Sequence, residues 1–498
     1  MLSSLPAAAA SLSAGTLLAG GLTTWLLLHI SYRLYLHPLS KFPGPWYAAS
    51  FSLCSAVISV LRLEPQWITH LVHTYGRNTP IRIQPNTLLL PYASAGHEIY
   101  TDPKCNVKSG LYGTGVLSPP NLFSTLDGDA HRELRKALGG PQWAVGSLKR
   151  NWEGGMDGLV RVLVGKMRGW AEQGERVCLS DRVAGFAADI MTMVSFTHPF
   201  GFVKNSRDEK LILTNWRQGL GLFGFVGRFK FFQRYVMNLP GIGELVLPKP
   251  TDPHGMGWLM GEAMRQLSTR EEENGRGVVP DTPDFLQHPL TATQRPGRPH
   301  PLQKLAHITL LIQAGADTTG TALGSILRFL LTTPHALSNA VSELAAADAA
   351  GLLSTPIKYE ETRLHLPYFV ACIKEGIRLN PPATNLFGRV VGREGKVLRG
   401  DVYIPPGTEV TAHAYTCQRD PALYGDDAEV FRPESLVFGM GSRVCIGRDV
   451  AVMEMYKLLP EIIRRFKFDV VDPGKYVVDG GIAYNQGFVV VPKVRAEA

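Results

Sequence analysis

A mainly α-helical fold with a small β region, forming one large domain behind an N-terminal transmembrane helix, is predicted by three features of the chain. The 498 residues are 45% hydrophobic and 19% charged, with no compositional break after residue 45, so one large core is expected even though the length would allow several domains. The stretch Leu5 to Ile30 is rich in Leu, Ala and Gly, and no charged side chain occurs before Arg33. The middle of the chain repeats its apolar residues at helical spacing, and strand signals are confined to short runs towards either end of the body.

The apolar N-terminal stretch is long enough to cross a hydrocarbon core of ~30 Å. A cleaved signal peptide would want a basic leader and a shorter apolar core, and neither is present. Residues 1–31 therefore read as a membrane anchor. Arg33 and Lys41 follow the span and nothing basic precedes it, which places the large domain on the cytoplasmic side. In the segment 32–45, Pro43, Gly44 and Pro45 set a stiff hinge, and residues 46–498 form the body. The apolar run Phe51 to Leu61 is too short to span and is expected to lie on the membrane or on the domain.

Within the body, Ile81 to Leu90 reads as two short strands around Pro85 and Asn86. Helices are predicted over Gly158 to Trp170 and from about Leu302 to Leu331, the latter stopping before Pro334. Arg270 to Pro301, charged and then proline-rich, reads as a surface loop with a short helix near Phe285. Phe466 to Val471 and Gly487 to Val491 read as the strands of a hairpin. The run from Asn215 to Leu239 is dense in Phe, Leu and Gly, and suits either an apolar lid near a membrane or an ordinary core helix pair.

Six widely spaced cysteines with no C-x-x-C pair argue against a disulfide framework and against a zinc site. The formal charge of +8 suits anionic partners and membrane surfaces. Nucleic acid is not an expected partner, because the chain has no basic helix and no basic stripe interleaved with aromatics.

The most informative residues are F-G-M-G-S-R-V-C-I-G, Phe438 to Gly447, which set one cysteine in a glycine-rich loop before an apolar helix running from Ile446 to about Leu459. A thiolate is favoured by backbone N–H groups, a helix N-terminus and a nearby cation, and Cys445 has access to all three. Gly439, Gly441 and Gly447 leave room for a flat ligand, and Arg443 could neutralise an anionic group on it. Upstream, A-G-A-D-T-T (Ala314 to Thr319) interrupts the longest apolar helix, where Gly costs about 1 kcal/mol relative to Ala and a buried Asp needs a partner. Ala314 and Gly315 remove bulk on one face, and Thr318 lies one turn on from Ala314. Glu375 and Arg378, in K-E-G-I-R-L-N-P-P, share a helix face at i and i+3.

Together these motifs resemble the cytochrome P450 family, the haem-thiolate monooxygenases, and in particular its fungal microsomal members, including pisatin-demethylase-like enzymes. The resemblance runs from anchor to C-terminal hairpin and implies the cytochrome P450 fold. It makes Cys445 the axial ligand of the iron of haem b (iron protoporphyrin IX), with Phe438, Arg443 and Gly447 around it. It gives Thr318 a hydrogen bond towards dioxygen and Asp317 a proton relay. It makes Glu375 and Arg378 a buried structural pair, and His131, Arg135 and Arg389 the groups that hold the haem propionates. It implies insertion of one oxygen atom into a small apolar substrate, as a tailoring step in secondary metabolism, with electrons from NADPH through a flavoprotein reductase. That partner would dock near Lys136 and Arg448, with the enzyme anchored in the endoplasmic reticulum membrane.

One departure stands out. After F-R-P-E the chain has only Ser435, Leu436 and Val437 before Phe438, so the usual arginine that completes the Glu-Arg network is absent, and Arg432 lies on the other side of Pro433. Either the loop is rebuilt here or a segment is missing from the sequence. Two rival readings follow: a same-fold isomerase or dehydratase that consumes no dioxygen, and a haem-binding form of low activity.

Overall fold

A computed structural model describes residues 14–113, 121–237, 239, 241–242, 247–278, 282, 284–287, 301–432 and 445–495. Its longest element is the central helix Pro301–Thr332. The helices Leu179–Phe196, Ile212–Arg228, Gly255–Gly275, Pro367–Leu379 and Arg448–Arg465 lie against it. The closest crossing is with Leu179–Phe196, and glycines make it possible. A Cβ on Gly315 would fall 2.3 Å from Met191 Sδ, and one on Gly320 would fall 2.6 Å from Ala184 Cα. Gly376 does the same job for Pro367–Leu379, where a Cβ would meet Ile326 at 2.6 Å.

The main core gathers Phe186, Ile190, Leu323, Leu327, Phe369, Ile373, Met453 and Ile462, all within a few per cent of full burial. A second core joins Leu305, Ile308, Ile312 and Ala316 of the central helix to Leu259, Ala263 and Leu267.

The β region comprises β1 (Ile81–Gln84), β2 (Thr87–Leu89), β3 (Val107–Lys108), β4 (Val177–Cys178), β5 (Arg389–Val390), β6 (Lys396–Leu398), β7 (Val402–Ile404), β8 (Glu409–Thr411), β9 (Phe466–Asp479) and β10 (Ile482–Val494). The larger sheet runs β1-β2-β8-β5-β3, β4-β10-β9 form a second sheet, and β6-β7 a separate hairpin. The β9-β10 hairpin is longer than the alternation predicts. Asp472, Pro473 and Gly474 interrupt the apolar pattern, but pairing continues through them with one register shift at Val489/Val490. Its far end is tied to the central helix: Asn485 Nδ2 donates to the Thr321 carbonyl at 2.8 Å, and the Thr321 hydroxyl donates to the Ala483 carbonyl at 2.8 Å.

The helix Ala14–Ser31 continues as a π-helical turn through Leu36, which gives an apolar helical stretch of 23 residues, Ala14–Leu36, long and apolar enough to cross a membrane. The helical segment thus passes the predicted boundary at residue 31. It stops where His37, held extended by the following Pro38, cannot continue it. The Pro43 to Pro45 segment packs on β1. Arg82 N donates to the Pro43 carbonyl at 2.7 Å, and a Cβ on Gly44 would lie 2.2 Å from the Arg82 carbonyl oxygen.

Ser52–Val60 packs Ser55, Ala56 and Ser59 inward against Ile212–Arg228 and leaves Leu53, Val57 and Val60 exposed. The Phe-rich run divides into a packed part and an exposed part. Ile212–Arg228 is a packed helix, whereas Phe231 and Tyr235 in the turn that follows are exposed. Arg228 is fully buried and bonded through two nitrogens to Glu64, at 2.6 and 2.8 Å, and to Asn385 at 2.8 Å.

The predicted loop from Arg270 is corrected over its first half. Gly255–Gly275 carries the helix past Arg270, which turns inward to pair with Asp284 at 2.9 Å. Phe285 and Leu286 are buried in a turn that leads into the helical Gln287, beside the predicted short helix, and Phe285 stacks on Trp143 at 3.8 Å between ring centroids. Charge and proline content hid this, because the charged residue is paired and the apolar pair is too short to show a period. Residues 288–300 lie outside the described residues.

Candidate functional site

Cys445 immediately precedes the turn into Arg448–Arg465, so its sulfur faces the N-terminal end of that helix, with Gly447 at the cap. The residue is solvent-accessible although protein surrounds it. Burial pushes its thiol above the ordinary value, while the Gly447 backbone N–H, the Arg135 and Arg448 charges and the Arg448 N–H pull the other way. A Cβ on Gly447 would meet nothing within 4 Å, so the chain is open to a neighbour on that side. Phe438 and Arg443 lie outside the described residues.

In the central helix, Ala314 is exposed and Gly315 and Thr318 are part-exposed, although the residues around them are buried. The opening belongs to Ala314 and Thr318. Gly315 differs from its expected role, because Met191 takes up the space its missing side chain leaves. The Thr318 hydroxyl donates to the Ala314 carbonyl at 2.5 Å, one turn back.

Asp317 is only 1% exposed and is held by Arg217, whose Nε and Nη2 both lie 2.9 Å from Oδ1. Burial raises the Asp317 pKa, and Arg217 opposes the rise. Arg217 also lies 5.1 Å over the Tyr484 ring and 3.8 Å from Asp181, and it lines a cleft of about 110 Å³ together with Asp181, Arg182 and Asp208. Arg217 was not legible in the sequence. It stands 100 residues from its partner in a run read for its phenylalanines.

His131, Arg135 and Arg389 line one cavity of about 500 Å³, with Tyr100, Arg132 and Lys136 on its walls. The i, i+4 spacing puts His131 and Arg135 on one face of Gly128–Leu138, with His131 buried. Arg389, on β5, is fixed by a 3.0 Å bond to the Tyr112 hydroxyl and lies 4.9 Å over the Tyr100 ring. Lys136 and Arg448 are exposed, each beside a local carboxylate, Glu133 and Asp449.

Glu375 and Arg378 form a buried pair at 2.7 and 2.8 Å. Arg378 reaches on to the carbonyls of Gln418, Ala428 and Val430 at 2.6, 2.7 and 3.3 Å, so one guanidinium gathers the chain that leads into the cysteine loop. The Arg432 guanidinium does not join them. It is exposed and turns to Asp427, while its backbone N–H donates to Glu375 Oε1 at 2.6 Å. Arg419, which the sequence reading passed over, pairs with Glu429 and donates to the Leu379 carbonyl at 2.5 Å, bracing the end of the Glu375–Arg378 helix. The shortened segment itself lies outside the described residues.

These donors suit a flat dianionic macrocycle bound through a sulfur. An accessible thiol sits at a helix N-terminus, three cationic or donor side chains converge on one cavity, and the central helix presents a small side chain where its neighbours are buried.

A family profile described as Cytochrome P450 matches residues 108–479. Among curated proteins, the chain is similar to the cytochrome P450 monooxygenase gsfF of Penicillium aethiopicum, with 30% identity over 97% of this chain and 98% of that one. It is also similar to the cytochrome P450 monooxygenase aba1 of Botryotinia fuckeliana, at 28% over 88% of each chain, and to ABA1 of Pyricularia oryzae, at 29% over 89% and 90%. A profile match across most of the body, with relatives aligned nearly end to end, shows that the chain belongs to the cytochrome P450 family and is a monooxygenase.

Proposed function

We propose that this monooxygenase inserts one oxygen atom of dioxygen into a small, largely apolar organic molecule, as a tailoring step of secondary metabolism. The observation that carries the reading is the accessible Cys445 thiol at a helix N-terminus with Arg135 and Arg448 in its field. Cys445 would ligate the haem iron. His131, Arg135 and Arg389 would hold the propionates, Phe438, Arg443 and Gly447 would complete the cradle, and Glu375 with Arg378 would brace the loop. Bound haem supplies the activation of dioxygen and the oxidising power. Ala314 leaves space on the central helix, and the Thr318 hydroxyl, now bonded to the Ala314 carbonyl, can turn to donate into that space. Asp317 keeps its proton more readily than an ordinary aspartate, because burial opposes its charge. Arg217 both pairs with Asp317 and lines the cleft beside Asp181 and Asp208, so a swing of its side chain would turn the carboxyl's partner towards the cleft and free the carboxyl to exchange a proton.

The same-fold isomerase alternative has no need of this acid and hydroxyl. In Thr318→Ala, NADPH oxidation should continue while product per NADPH falls at least severalfold and hydrogen peroxide appears; turnover unchanged in the absence of dioxygen would favour the isomerase. As pH rises through the raised Asp317 pKa its proton is lost, so the coupled rate should fall on that limb. Asp317→Asn should lower the rate about a hundredfold and abolish the limb. Arg217→Ala removes the positive charge that lowers the pKa and should move the limb to higher pH.

Electrons would come from NADPH through a membrane-bound flavoprotein reductase docking where Lys136 and Arg448 are exposed. Reversing both charges, in Lys136→Glu with Arg448→Glu, should slow reduction by the reductase about tenfold or more at low salt and flatten its salt dependence. An unchanged rate would place the docking elsewhere.

The membrane reading, with residues 1–31 as a single anchor in the endoplasmic reticulum, 32–45 as the hinge and 46–498 as a cytoplasmic catalytic domain, is supported by the helical stretch Ala14–Leu36. That stretch is ~34 Å long at 1.5 Å per residue, enough to span. Exposed Leu53, Val57, Phe231 and Tyr235 add apolar surface on the body. Deleting residues 1–36 should abolish carbonate-resistant membrane association while leaving salt-insensitive binding to phosphatidylcholine vesicles; full retention in the carbonate pellet would refute the anchor.

A further inference from the structure

His307 is 2% exposed, and neither of its ring nitrogens has a hydrogen-bond partner. Burial pushes its pKa down to about 4, so the ring is neutral near physiological pH and presents one N–H donor and one bare nitrogen acceptor. Leaving both unpaired in the interior is unfavourable, and buried polar groups without partners are rare in native proteins.

The position on the helix says where the partner would come from. At 100° per residue, His307 falls within about 20° of both Ala314 and Thr318, and it precedes Ala314 by about 10 Å along the axis. On the same side Leu310 and Leu311 are part-exposed like Thr318, with Leu311 also packed on the main core, and Ala314 is exposed. The opposite face, Leu305, Ile308, Ile312 and Ala316, is sealed into the second core. His307 is thus a buried polar ring with unpaired nitrogens on the side of the helix that carries Ala314 and Thr318.

We propose that His307 is a specificity-determining contact of the substrate space: it takes a hydroxyl or carbonyl oxygen carried by an otherwise apolar substrate, about 10 Å from the carbon presented beside Ala314. This rests on the monooxygenase reading of the central helix and narrows it to an elongated substrate with one distal oxygen. The substrate's oxygen completes the hydrogen bonding of the imidazole. A donor and an acceptor on one ring serve a hydroxyl or a ketone equally, so both classes fit.

The test uses the full-length holoprotein in detergent and a ruler of ligands: 1-alkylimidazoles from butyl to dodecyl, and the same series with a terminal hydroxyl, titrated by the visible spectrum. The imidazole end is fixed at the iron, so chain length sets where the hydroxyl falls. The expected result is a preference of about tenfold for the hydroxylated member over one narrow range of chain lengths, lost in His307→Phe while the plain alkyl series binds unchanged. His307→Phe should also melt at the same or a higher temperature, since it removes two unpaired polar atoms from the interior. His307→Gln, which keeps a donor and an acceptor, should retain part of the preference. A hydroxyl preference that is absent, or equal in wild type and His307→Phe, overturns the proposal. So does a lower melting temperature with unchanged binding, which marks His307 as a framework residue satisfied by internal water. No spectral response of the wild type to any imidazole would instead overturn the haem site on which the proposal rests.

Discussion

Holding a sulfur anion inside a protein is the constraint on which this structure turns. Burial alone makes the Cys445 thiol harder to ionise, and the opposing influences are weak individually: a cap N–H from Gly447, another from Arg448, and two guanidinium charges. They act only if the loop and the helix Arg448–Arg465 stay in register with Gly128–Leu138, which carries Arg135. That register is set from behind. Arg378 is committed to Glu375 and to three carbonyls between Gln418 and Val430, and Arg419 braces the end of the same helix through Leu379. Removing one partner of such a buried pair leaves an uncompensated charge, a loss of about 3–5 kcal/mol, so the pair fixes geometry more than it adds stability.

The central helix carries a second tension, between packing and opening. Gly315 and Gly320 let Leu179–Phe196 approach almost to backbone contact, which makes the helix a rigid core element. On its other side, Ala314 and Thr318 are left open, and Asp317 and His307 are buried polar groups that a purely structural helix would replace with apolar ones. Arg217 stabilises the charged form of Asp317 from another helix, so the same contact that makes burial of the carboxyl tolerable also joins it to a polar cleft.

Local motifs made much of this legible. Cys445 with Gly447, the His131/Arg135 face and the Glu375/Arg378 pair each lie within one turn or helix, where spacing alone fixes which side chains are neighbours. The long helix and the Ile81 to Leu90 strands were legible for the same reason. What escaped depends on pairing across the chain. Arg217 meets Asp317 from 100 positions away. Gly315 looked like space for a ligand because Met191 cannot be seen from the sequence. Arg270 looked like surface charge because its partner, Asp284, lies beyond a helix end. The stiffness of the Pro43 to Pro45 segment was legible, but not its contact with Arg82, which joins two segments with no shared pattern. The missing arginine after Glu434 was visible, but not that Glu375 accepts the main-chain N–H of Arg432.

The visible spectrum of the purified, dithionite-reduced protein under carbon monoxide tests the central claim most directly. A red-shifted Soret band characteristic of thiolate ligation, lost in Cys445→Ser, is the result this account predicts. An unshifted band in the wild type, a shifted band that survives Cys445→Ser, or the absence of bound haem would contradict it.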